Sequence, residues 1–293
     1  MKIRITGVRL LATILIVSAL ETTVQASIIS WAIDSAQSYL TLSIPQQKVN
    51  ITDTVSATVR LVNQSGGSSW TSGNKAPIAG TLTTNYFDGL GINILSANAV
   101  GLNTGNYRPN HAVWDAGTET YANNTTAPAV FGAKAQAQVL FFLDAGYISI
   151  TDVLYNLTSD GLIPISGGSF ASTATNFGIQ SAEVGLQGLN VLGLAQVPSF
   201  QGAIGGLITD NTAGLATITT PDPINNPYVR KLTLPLKVNV AIQQGDLTLT
   251  GSASGQIVAT AFVNLVPEPT TYVLALTACV AALPLALRRH RRH

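Results

Sequence analysis

Between residues 232 and 242 the chain alternates without a fault. Leu232, Leu234, Leu236, Val238, Val240 and Ile242 are apolar, and Thr233, Pro235, Lys237, Asn239 and Ala241 stand between them. Side chains of a strand point to opposite faces in turn, so a period of two over this length predicts a strand with one buried and one wet face. Pro235 falls on the wet face and lacks an amide donor, which predicts a sheet edge or a bulge there. Gln244, Gly245 and Asp246 offer a turn, and Leu247, Leu249, Ile257, Ala259, Ala261 and Val263 supply the return. A long hairpin is therefore expected to close the domain.

The rest of the body carries the same signal more weakly. It is rich in Thr, Ser, Asn, Gln, Gly and β-branched residues, with few helix formers in sequence, which predicts an all-β fold. Leu40, Leu42 and Ile44 alternate, as do Val55, Ala57, Val59 and Leu61. The run Val139 to Leu143 suits a strand buried on both faces. Ile148 and Ile150, followed by Val153, Tyr155 and Leu157, read as one strand with a register break, and Asp88-Gly89 and Asp160-Gly161 read as turns. Residues 65–73, 101–128 and 221–227 have loop composition, and the stretch 185–206, whose glycines follow no clean period, is left unassigned, with bulged strands or close backbone approaches as its readings. No internal repeat stands out. The expectation is one antiparallel sandwich or flattened barrel over residues 27–265.

Lys2, Arg4 and Arg9, an apolar core from Leu10 to Leu20 and the small-residue end Val24-Gln25-Ala26 form the pattern of a secretory signal peptide. Residues 1–26 are thus expected to be a signal helix, cut between Ala26 and Ser27 by signal peptidase after passage through the secretion translocon. Between Ser27 and Val266 stand eight Lys or Arg and twelve Asp or Glu, a difference of minus four. A weakly acidic body offers no footprint for nucleic acid. The only cysteine, Cys279, lies outside it, so the body must be held by burial and hydrogen bonding without a disulfide.

The last residues follow a strict order: Val266, Pro267, Glu268 and Pro269, then an apolar run from Tyr272 to Leu287, then Arg288, Arg289, Arg291 and Arg292. Two prolines favour extended backbone around the acid, where a processing enzyme can reach it. A sixteen-residue helix over 272–287 spans roughly 24 Å, short of the roughly 30 Å hydrocarbon core. Four arginines are expected to stay in the cytoplasm as a basic stop, leaving the body outside. This combination resembles the PEP-CTERM sorting signal. The resemblance covers residues 266–293 and implies cleavage by an exosortase, a membrane transpeptidase, with delivery to the cell surface or matrix of a Gram-negative, polysaccharide-producing bacterium. Until then the C-terminal transmembrane helix is the membrane contact. A permanent single-span anchor is the alternative.

For chemistry the body offers little. Its single histidine, His111, lies in a loop without a nucleophile motif, so a histidine triad is not expected, nor zinc. No metal and no cofactor are assigned. Asp115 and Glu119 beside Trp114 are the closest carboxylate pair that a glycoside hydrolase would need, and they read more simply as turn residues. Trp70 and Trp114 in polar loops are candidates for a sugar-stacking platform, with exopolysaccharide as the partner. Trp31, Ile33, Asp34, Gln37 and Ser38 resemble the opening of YceI-like lipid-binding barrels, with Gln37 where that family has histidine. The expectation is a structural or adhesive surface protein of envelope, exopolysaccharide or biofilm and not an enzyme. A polysaccharide- or lipid-binding module is the alternative.

Overall fold

The computed structural model divides the chain into two compact units, of which Ser27–Val263 is the one described. Within it, residues 51–55, 63–74, 89, 103–113, 116–119, 122–128, 139–141, 188, 192–194, 198–199 and 245–246 lie outside the described residues. So do residues 1–26 and 264–293, and with them the expected signal helix, the sorting motif, the transmembrane helix and the basic stop. Among the described residues no helix is long and apolar enough to cross a membrane.

The fold is all-β. In chain order the strands are β1 Ser27–Ile33, β2 Tyr39–Ser43, β3 Gln47–Asn50, β4 Ser56–Val62, β5 Ala76–Phe87 and β6 Gly91–Gly101. Then come β7 Trp114–Asp115, β8 Thr120–Tyr121, β9 Phe131–Gln138, β10 Phe142–Ser159, β11 Ile163–Pro164 and β12 Ser169–Ala171. The last are β13 Thr175–Gln187, β14 Leu189–Val191, β15 Ala195–Val197, β16 Phe200–Asp210, β17 Leu215–Thr219, β18 Val229–Gln244 and β19 Leu247–Phe262. Fifteen strands join one sheet, whose main path runs β12-β17-β18-β19-β1-β5-β6-β10-β9-β4-β3, with β13 and β16 branching from β10. Strands β7-β8 and β14-β15 form two small separate pairs.

The β18–β19 hairpin is paired from Val229↔Phe262 to Gln244↔Leu247. Leu232, Leu234, Leu236 and Val238 are buried, and the return strand buries Leu249, Ile257, Ala259 and Ala261. Pro235 pairs with Gln256 on one side, while on the other β17 reaches only to Thr233. There the Asn211 side chain stands in for a strand: its Nδ2 donates to the Pro235 carbonyl at 2.9 Å and its Oδ1 accepts from the Lys237 amide at 2.9 Å. The missing proline amide faces this side, where no ladder bond is lost.

Two strands change course by design of their backbone. Strand β10 pairs with β13 from Tyr147 to Ser159, with a register shift between Thr151 and Leu154 and Asp152 at φ 51°. Its other edge meets β9 up to Ile150 and then β6 at Leu154 and Tyr155. The break expected from the sequence is thus where β10 exchanges neighbours, because a bulge bends and twists the strand that carries it. Likewise β1 and β2 are two halves of one line, both paired with β19 and β5 and interrupted at residues 34–38. Gly80, at φ 124° opposite Ile33, has room only for a hydrogen, since a Cβ would run into the Asn98 carbonyl.

One expectation changes in detail. Phe142 and Leu143 are half-buried at the start of β10, next to the connection from β9, and are not the centre of a doubly buried strand. Residues 139–141 lie outside the described residues. Phe142 also receives the Arg60 guanidinium, 3.9 Å from its ring centre, a cationic contact that a strand buried on both faces would exclude.

Candidate functional site: an apolar cavity between strands

The inward rows of distant strands converge on one continuous core, from Ile29 in β1 to Val263 after β19. At one place they do not close. A cavity of about 680 Å³ is bounded by β2 and β19 (Leu40, Leu42, Gly251, Ala253), β18 (Val238, Val240), β9 and β10 (Phe131, Ile150), β13 (Phe177, Ile179) and β16 (Ile204). The cause is visible in the row that β19 turns inward: Leu249 and Ile257 are large, but Gly251, Ala253 and Gly255 lie between them. A Cβ on Gly251 would press on the Ser43 carbonyl and Ile44, and one on Gly255 on the Tyr39 carbonyl. Close approach of β2 therefore keeps these positions small, and the volume beside them stays unfilled.

No charged side chain is among the cavity's described lining residues; Ser43, Thr209, Asn239, Thr250 and Ser252 supply its polar atoms. Thr209, Asn239 and Thr250 are exposed and mark the mouth. The size falls within the roughly 300–1,000 Å³ of small-molecule sites. At about 30 Å³ per molecule, water would fill it with some twenty molecules and few partners. An uncharged, largely apolar molecule fits this lining better.

The wall behind Phe177 has an unusual member. Tyr155 is fully buried and stacks on Phe177 with ring centres 5.3 Å apart, and its hydroxyl has no hydrogen-bond partner among the described residues. Burial raises its pKa, since a phenolate there would lose its water. Chain comparisons with protein-family models, curated proteins and solved structures find no match.

None of the candidate site residues singled out from the sequence is among the cavity's described lining. Trp114 and Asp115 form β7, paired with Tyr121 and Thr120, while His111, Glu119 and Trp70 lie outside the described residues, as does the whole sorting motif. Among the described residues, no three of His, Cys, Asp and Glu group together as metal ligands would. The Trp31 to Ser38 stretch acts as a clasp. Trp31 is fully buried, donates from Nε1 to Thr84 Oγ1 at 2.9 Å and meets Tyr86 edge to face. Asp34 accepts from the Ala36 amide and the Gln37 side chain. Ser38 Oγ donates to the Val258 carbonyl and accepts from its amide, at 3.0 and 2.8 Å. Gln37 also accepts from Lys231 Nζ at 2.9 Å.

Sequence reasoning missed the cavity because each of its residues reads as the ordinary inward member of a strand. The glycines of β19 were the one available sign, and they become informative only once their neighbours across β2 are known.

Proposed function

We propose that this chain is an exported envelope or matrix protein of a Gram-negative bacterium, carried to the surface by a C-terminal sorting tail and acting there as a structural or adhesive β domain, with a sandwich or flattened barrel as its architecture. The observation that carries the reading is the order Val266-Pro267-Glu268-Pro269, apolar run, arginine cluster. The intact mass of the protein recovered from its host's envelope and medium tests this. A chain starting near Ser27 and ending near Pro269 is expected. Mature surface protein that still ends at His293 would make the tail a permanent anchor and defeat exosortase processing.

A second reading is favoured by the cavity: the domain binds a neutral apolar molecule such as a lipid chain. Ile204 is half-buried in the cavity wall, so Ile204→Trp should fill the space and lower uptake of an apolar dye without unfolding the domain. Equal uptake by the two proteins would exclude the site. Sugar binding through Trp70 and Trp114 is tested by Trp70→Ala with Trp114→Ala, where unchanged retention on the host polysaccharide would reject it. Any hydrolase activity should be lost in Asp115→Asn with Glu119→Gln.

A further inference from the structure

Six of the nine large apolar side chains exposed among the described residues lie at one end of the domain: Ile28, Leu90, Leu162, Ile224, Tyr228 and Phe262, each 49% to 88% exposed. The register places them together. Ser27 pairs with Tyr86 and Phe87 with Gly91, which sets Ile28 beside the β5–β6 turn that holds Leu90. A Cβ on Gly91 would touch the Leu162 side chain. Val229 pairs with Phe262, and the Val263 amide donates to the Tyr228 carbonyl. Arg230 ties the two groups together, paired with Asp88 at 3.5 Å and donating to the Pro227 carbonyl.

This is also the end at which the described chain stops. Only residues 264–271 separate Val263 from the apolar run at 272; eight residues reach at most about 29 Å. The acids at this end have partners: Asp88 accepts from Tyr86, Asp160 from Asn176, and Asp222 from the Asn225 amide, which holds its carboxyl below the usual range. Of these, Asp88 is also paired with Arg230. Among the described residues there is no cluster of basic side chains at this end to seek anionic headgroups, but there is a set of apolar and aromatic groups suited to the bilayer interface.

We infer that this end of the domain is a membrane-resting face that inserts Ile224, Tyr228 and Phe262 into the interface of an electrically neutral lipid surface while the precursor is still anchored. The inference rests in part on the sorting-tail reading. Contact with the bilayer would hold the unprocessed protein against the membrane, and release of the tail would leave only this weaker attachment.

The full-length chain, reconstituted in phosphatidylcholine vesicles containing nitroxide-labelled lipid, tests it with a fluorophore on single cysteines. Phe262→Cys and Ile224→Cys, each in a Cys279→Ala background, report on the face. Thr248→Cys in the same background is the exposed control, fourteen residues away along β19, or about 46 Å. Native Cys279 reports on the tail. Quenching several-fold stronger at 262 and 224 than at 248 is expected, and it supports the face whether or not Cys279 is quenched. Quenching at Cys279 with none at 262 and 224 would overturn the face and leave the tail reading standing, and absence at all three would overturn both. Adding phosphatidylglycerol should not strengthen the quenching at 262; a strong increase would show attachment by charge and overturn insertion into a neutral surface.

Discussion

The two large aromatic centres of this core are built differently. Around Trp31, strands β1, β5 and β19 leave no buried side-chain polar atom open among the described residues, because the indole donates to Thr84 and the neighbouring Ser38 hydroxyl both donates to and accepts from Val258. Around Tyr155, strands β10, β13 and β16 bury a hydroxyl without a partner among the described residues and border a cavity through Phe177 and Ile179. A buried polar atom that is satisfied costs little, whereas an unsatisfied one loses its water without return. The first half is therefore the stabilising frame. The second retains slack, and that is where a ligand has room.

Breaking the frame should cost most. Trp31→Ala removes a fully buried ring and strands the Thr84 hydroxyl, and should lower stability by about 3–5 kcal/mol in chemical denaturation. Asn211 joins the halves, bonding Pro235, Lys237 and Thr175; Asn211→Ala leaves the part-buried Pro235 carbonyl and Lys237 amide open and should cost about 1–3 kcal/mol, read in the same titration. Tyr155→Phe should act in the opposite direction, gaining about 1 kcal/mol by deleting the unpaired hydroxyl. A loss there instead would mean that the hydroxyl is in use.

The smallest effect is one of pH. Burial first, and the Asp88 charge second, push Tyr86 from 10.0 up to about 12. The folded state thus keeps a proton that the unfolded chain releases, so stability is fully present below pH 10 and is lost as pH rises toward about 12. Tyr86→Phe should flatten part of that fall in a series of thermal melts.

Legibility followed the same division. The alternation from Leu232 to Ile242 gave away the hairpin because an inward row facing one core needs no knowledge of its partners, and the break between Ile150 and Val153 was visible because a bulge shifts the period of the residues themselves. The stretch 185–206 was not readable: β13 pairs with β16 around the small β14–β15 ribbon, and Gly205 is dictated by the Gln180 carbonyl that a Cβ there would meet. Trp31 to Ser38 carried a family-like pattern whose structural task, clasping β19, lies more than two hundred residues away.

By itself, then, the sequence determined the all-β class, the antiparallel pairing of the last two strands and the faces they bury, since these depend on periodicity and turn chemistry that are local. The tertiary structure alone decided that β10 changes neighbours at Asp152, that Gly251 and Ala253 open a cavity, and that six exposed apolar groups gather at one end. Each of these follows from which strands lie side by side, and that choice is made by the whole core at once.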